Sequence, residues 1–276
     1  MRNVVLLFTV ALATSVSAQS PLPPADLTIM GGTSFPPPDS DRLVMLDMTN
    51  DPSGYYYTSS GTYGQTATWH PTGGWNDTGY VRLTLPTIPD NHAALGQFNW
   101  EGGARSRLNV GFLYRFGPTI TQNDRGLGWK NLIVHRGGGD GGPRIMQIWH
   151  SFFGGQWDTQ LSNNISPQDP THPSGGVNFG PDGGFHGEWF WLEAEMYASG
   201  AGPGHLTLYI TTEGGTYDEQ PMFVDQTIGT GGFSYIERVG SYGGWMPTSG
   251  PGDWYDIGLV IIDDEYIGPP PGFGGN

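Results

Sequence analysis

The 276-residue sequence contains no cysteine. That removes disulfide staples, thiolate nucleophiles and Cys-ligated metal centres from consideration. A chain of this length buries enough surface to fold without such staples. Positive charge is scarce: 11 Lys and Arg face 26 Asp and Glu, for a net charge of −15. Acidity of this size opposes binding to nucleic acids and insertion at anionic membranes. No stretch reaches the roughly 18 consecutive apolar residues of a membrane-spanning helix. The motifs Gly-x-Ser-x-Gly, His-Glu-x-x-His and Gly-x-x-x-x-Gly-Lys are all missing, and their nucleophile-elbow, zinc and phosphate-loop chemistries go with them. No window reads as a capped amphipathic helix.

Turn formers and aromatics are abundant instead. The 46 glycines and 23 prolines make up a quarter of the chain, a level that suits disorder. The 10 Trp, 13 Tyr and 13 Phe oppose that reading, because disordered chains are poor in such large buriable side chains. Many turns with many aromatics indicate a folded β protein. Arg2, the apolar run Val4 to Ala13 and the small residues Ser15-Val16-Ser17-Ala18 have the form of a secretory signal, so residues 1–18 are expected to be removed on export. Residues 19–40 form a Pro-rich leader, 41–268 one domain, and 269–276 a flexible Gly/Pro tail.

Short runs with period-2 alternation mark strands at Arg42–Met48, Gly79–Leu85, Arg105–Phe116, Trp129–Arg136, Arg144–Ser151, Glu188–Tyr197, His205–Thr212, Pro221–Ile228, Phe233–Gly240 and Trp254–Asp263, separated by Gly, Pro, Asn and Asp. This pattern predicts an all-β, two-sheet antiparallel sandwich of the jelly-roll kind.

The cations are unevenly placed. Seven of them (Arg105, Arg107, Arg115, Arg125, Lys130, Arg136 and Arg144) fall in 40 residues that hold only Asp124 and Asp140 as acids. On an unbroken strand Arg105, Arg107, Asn109 and Arg115 share one face, suited to carboxylates or sulfates. Pairing with the chain's own acids, or a bulge at Gly111, would defeat that arrangement. Regular alternation places Lys130 and Arg136 on one face of their strand, with Asn131, Ile133 and His135 on the other. Gln147 and Trp149 share a face, opposite His150. His135 and His150 are the side chains that can act as bases near neutral pH.

Glu193 and Glu195 share a face with Trp189 and Trp191, as an acid and base pair of a glycosidase would; a structural carboxylate bonded to a loop is the simpler reading. Aromatics at Tyr55 to Tyr57, Trp69, Trp75, Trp157, Trp245 and Trp254 can stack on sugars or anchor loops. Asp256, Asp263, Asp264 and Glu265 can supply oxygen ligands to a structural Ca²⁺, without an Asp-x-Asp-x-Asp-Gly loop to support it.

Three stretches carry a family resemblance. Gly187-Glu188-Trp189-Phe190-Trp191-Leu192-Glu193, Trp254 to Ile261 with Tyr266-Ile267-Gly268-Pro269, and Trp129-Lys130-Asn131-Leu132 resemble strands of concanavalin A-like jelly rolls, above all secreted bacterial polysaccharide lyases of the alginate-lyase type. Arg105-Ser106-Arg107-Leu108 is similar to the lyases' Arg-Ser-Glu-Leu-Arg, without the Glu. Gln147-Ile148-Trp149-His150 is similar to their Gln-Ile-His, with Trp149 inserted. Their Tyr-Phe-Lys-Ala-Gly-x-Tyr strand has no recognised counterpart.

The resemblance implies an exported protein acting on an anionic polysaccharide by β-elimination, with no required cofactor. Arg105, Arg107 and Gln147 would neutralise the uronate carboxylate, His150 or His135 would be the base, and Tyr209 the acid. Lys130, Arg136, Trp149, Trp157 and Trp245 would line the substrate site. A non-catalytic carbohydrate-binding or surface-matrix module is the alternative, and a glycosidase using Glu193 and Glu195 the third reading.

Overall fold

Period-2 alternation is carried furthest by the segment after Ser106. There Leu108, Val110, Phe112, Tyr114 and Phe116 are all buried on one face, which draws the segment into a sheet against a core. A computed structural model describes residues 43–52, 56–57, 66–84, 94–117, 129–135, 144–153, 156–162, 187–199, 202–216, 218–243 and 254–274. Among these residues the regular structure is antiparallel β, apart from one 3₁₀ turn at Trp75–Asp77. The larger sheet contains β1 (Val44–Leu46), β3 (Thr66–His70), β4 (Tyr80–Thr84), β6 (Arg107–Phe116), β10 (Phe190–Tyr197), β11 (Pro203–Thr212), β12 (Gln220–Thr230) and β14 (Trp254–Asp263). Its order is β12-β11-β10-β6-β14-β4-β3, with β1 also paired to β14. The smaller sheet contains β2 (Tyr56–Tyr57), β5 (Ala94–Arg105), β7 (Trp129–His135), β8 (Arg144–Phe153), β9 (Gln156–Ser162) and β13 (Phe233–Gly243), in the order β2-β5-β13-β7-β8-β9.

The principal core lies between the sheets, where the alternate residues of β6, β10, β11 and β14 meet Leu132, Val134 and Phe233 of the smaller sheet. A second apolar layer covers the opposite face of the larger sheet: Leu113, Trp189, Trp191, Leu259 and Ile261 pack with Tyr80, Met45 and Phe273. Two glycines make room for the tryptophans. A Cβ on Gly111 would stand 2.0 Å from Trp191 Cζ2, and one on Gly258 3.3 Å from Trp189 Cζ3.

Two expectations change here, and one alternative falls away. The strand expected over Arg105–Phe116 is two strands: β5 ends at Arg105 in the smaller sheet, Ser106 bends, and β6 begins at Arg107 in the larger one. No bulge forms at Gly111, since β6 runs in unbroken register with β10 from Arg107 to Tyr114. The C-terminal segment, expected to be flexible from 269, packs onto the sheet as far as Phe273, which is 3% exposed and meets the Trp75 ring edge-on at 5.3 Å. Strands β2, β3, β5 and β9 were not anticipated. β5 reads Ala-Leu-Gly-Gln-Phe-Asn-Trp-Glu-Gly-Gly-Ala-Arg, and its three glycines and polar residues hide a strand that cross-strand pairing creates. The leader and the signal-like segment lie outside the described residues.

Candidate functional site

The smaller sheet is best read as rows across its strands. Leu132 and Val134 of β7 are buried in the core, so the rows through them, Val239-Leu132-Ile148-Leu161 and Ile236-Val134-Met146, have the core phase of the pleat. Three rows have the opposite phase. They are Glu101-Tyr235-His135-Arg144, Arg238-Ile133-Gln147-Ser162, and Ala94-Tyr242-Lys130-Trp149-Gln160. Successive rows of one phase stand roughly 7 Å apart along a strand. His135, Gln147, Lys130 and Trp149 therefore share one face, and β13 adds Tyr235, Arg238 and Tyr242 to it.

Irregular pairing produces this convergence. Regular alternation sets Lys130 and His135 on opposite faces, but the register shift between Lys130 and Leu132 returns Lys130 to the row of Trp149, as a bulge does. β8, by contrast, pairs with β9 without interruption from Gln147 to Phe153. His150 therefore stands in the phase of Ile148, opposite Gln147, and those two do not act on one face. Trp157 lies on β9 opposite Phe152. Arg136 and Trp245 lie outside the described residues.

The arginines expected beside Gln147 belong elsewhere. Arg107 and Tyr209 are on the larger sheet, on the face turned away from the core. Arg107 Nη2 donates to Glu195 Oε1 at 2.9 Å, the Tyr209 hydroxyl donates to Glu195 Oε2 at 3.4 Å, and the Tyr197 hydroxyl donates to Glu195 Oε1. The Tyr209 phenol is pushed above its ordinary range, chiefly by burial and then by the Glu195 charge, which makes it a weaker acid. Arg105, at the end of β5, donates to Asp264 at 2.8 Å. The expected set of Arg105, Arg107, Gln147, His150 and Tyr209 is thus divided between two sheets. Ser106 divides it, and pairing with acids of the chain ties down both arginines.

The expected glycosidase pair is also accounted for by folding. Glu193 has no exposed surface. Its Oε1 accepts the N–H of Ile267 at 2.8 Å, and its Oε2 accepts those of Gly268 at 2.8 Å and of the Trp191 indole at 3.3 Å. It latches the C-terminal segment to the sheet and has no path to a substrate. Glu195 is held by Arg107 and two tyrosines. Of the acids proposed for Ca²⁺, Asp256 lies between Arg82 and Arg115, Asp263 accepts the N–H groups of Asp264 and Glu265, and Asp264 accepts from Arg105. Among the described residues no group of three metal-ligating side chains comes together.

Burial raises the Glu193 carboxyl above the usual carboxylate range, against the hydrogen bonds from Ile267, Trp191 and Gly268 that lower it. The folded protein therefore retains a proton that the unfolded chain has lost, from the ordinary glutamate value of about 4.3 upward. Stability falls as pH rises through that window. Glu193→Gln removes this titration, so thermal unfolding scans across the window should show wild type losing stability relative to the variant as pH rises. Parallel pH curves for the two proteins would contradict this.

Arg238 and Tyr242 were missed in the sequence. The available signal was weak: Arg238-Val239-Gly240-Ser241-Tyr242 keeps only the Gly and the Tyr of the lyases' Lys-Ala-Gly-x-Tyr, with Arg for Lys and Val for Ala.

No family model matches the sequence, and no curated protein does. Solved structures do match the fold. An endo-β-1,4-glucuronan lyase from the fungus Trichoderma reesei superposes with a TM-score of 0.55 at 14% identity, over 83% of this chain and 98% of that one. The PL-14 alginate lyase from Aplysia kurodai gives 0.53 at 9% identity, over 83% and 100%. The fold is the concanavalin A-like jelly roll of such lyases; at these identities the likeness is one of architecture.

Proposed function

We propose that this is an exported carbohydrate-active protein that binds an acidic polysaccharide on the non-core face of the smaller sheet and cleaves it by β-elimination. The observation that carries the reading is the shared pleat phase of His135, Gln147, Lys130 and Trp149 with Tyr235, Arg238 and Tyr242. Arg238, Lys130 and the Gln147 amide neutralise the uronate carboxylate, which makes the C5 proton more acidic. His135 or a β13 tyrosine takes that proton, the C4–O bond breaks as the C4=C5 double bond forms, and a tyrosine protonates the departing oxygen. Trp149 offers a ring for a neighbouring sugar. Among the described residues no helix is long and apolar enough to cross a membrane.

Incubation with glucuronan, alginate and ulvan should raise ultraviolet absorbance from unsaturated uronate. Gln147→Ala and Arg238→Ala should each lower kcat/KM by about 10²–10³-fold, and His150→Ala by much less. No absorbance on any uronate polymer would overturn cleavage. The separation of Gln147 from His150 favours a binding module as the second reading; retained affinity without products would support it.

A further inference from the structure

Arg82 on β4 and Arg115 on β6 approach β14 from opposite sides and share one carboxylate. Arg82 donates Nε to Asp256 Oδ1 at 2.8 Å and Nη2 to Oδ2 at 3.0 Å, while Arg115 donates Nε and Nη2 to Oδ2 at 3.0 and 2.6 Å. Asp256 is fully buried, and its charge is spent inside this trio. Two guanidiniums and one carboxylate leave a surplus of one positive charge. Each guanidinium has five N–H donors, and neither commits all of them here. Arg107 on the same face differs, because it is matched one to one with Glu195; Arg105, at the end of β5 in the smaller sheet, is likewise matched with Asp264.

The surplus is held rigidly. Arg82 Cζ lies 3.5 Å from the centre of the Trp254 ring, and Arg115 Cζ 4.3 Å from that of Trp189. The two arginine side chains are still 27% and 16% exposed, so solvent reaches the trio. In a chain of net charge −15, a fixed and partly exposed positive surplus is suited to an anion. Planar guanidiniums already oriented by rings and a buried acid match an oxyanion with two acceptors at little entropic cost.

We propose that Arg82 and Arg115 form a second binding site, on the face of the larger sheet turned away from the smaller one, for the oxyanion of an acidic glycan. The oxyanion is a uronate carboxylate or a sulfate ester. The glycan class rests on the function proposed above; the surplus charge does not. Such a site would hold the polymer at a distance from the smaller sheet and raise its local concentration there.

Affinity electrophoresis of the exported chain through gels containing glucuronan, dextran sulfate or neutral dextran tests this. Arg82→Gln leaves Arg115 to neutralise Asp256 but takes away the hydrogen bond to Oδ1, so the unfolding midpoint should fall by less than in Asp256→Ala and the protein should stay folded. Affinity for an anionic polymer should fall about tenfold, with neutral dextran unaffected. Arg82→Lys, which keeps the charge and loses the fork, should fall between. Loss on glucuronan alone identifies a carboxylate, and loss on dextran sulfate alone a sulfate. A folded Arg82→Gln protein that migrates like wild type in both anionic gels overturns the site, as does wild type retarded by neither. The same loss in a Gln147→Ala/Arg238→Ala background, whether or not cleavage occurs, separates this site from the one on the smaller sheet.

Discussion

Asp256→Ala is expected to destabilise the fold by about 3–5 kcal/mol, the cost of removing one partner from a buried ion pair. The carboxylate has no exposed surface and receives four charge-assisted hydrogen bonds from arginines on its two neighbouring strands. Without it, Arg82 and Arg115 face each other across β14 with no anion between them. Their partial exposure moderates the penalty, and the rings of Trp254 and Trp189 hinder the guanidiniums from turning out to solvent. A guanidinium chloride titration with an unchanged slope and a lower midpoint is the expected readout. Replacing all three residues by apolar ones of similar volume should recover most of the loss, since a whole buried ionic group is often dispensable where half of it is not. An Asp256→Ala protein as stable as wild type would show that water screens the trio.

Gly111→Ala should be similarly damaging although it adds a single carbon. The new Cβ would lie 2.0 Å from Trp191 Cζ2 and 2.5 Å from Cη2, well inside contact distance. Neither group can yield easily. Gly111 sits mid-strand between Glu193 of β10 and Ile261 of β14, and the Trp191 ring is 1% exposed and bonded to Glu193. A loss of about 3 kcal/mol, the upper end for overpacking, is expected. Trp191→Leu in the Gly111→Ala background should restore part of it, with a coupling energy of about 0.5–3 kcal/mol in the double-mutant cycle. Additive losses would mean that the strand, and not the ring, absorbs the added carbon.

Both effects involve residues whose strands were legible in the sequence but whose partners were not. β6, β10 and β14 were foreseen because alternation such as Leu108-Val110-Phe112 is a local signal set by the pleat. From that signal alone, with the turn chemistry around it, an all-β sandwich of two antiparallel sheets followed. Composition alone excluded disulfides and thiolate chemistry within this sequence. What stayed hidden was non-local. Arg107 meets Glu195 across 88 positions and Arg115 meets Asp256 across 141, so no spacing rule could reveal that these arginines of the cationic segment meet acids of the chain itself.

The bend at Ser106 carries no turn residue pair to announce it, and it sends Arg105 and Arg107 to different sheets. The bulge beside Lys130 likewise depends on the register of β7 against β8, a property of two strands together. The sequence by itself therefore determined the fold class, the strands that alternate, and the kinds of side chain available. Tertiary structure decided which cations are already paired with acids of the chain, and which of the expected site residues share a face. The physical reason is that pleat alternation is written into each strand, while register, crossover and ion pairing exist only between strands.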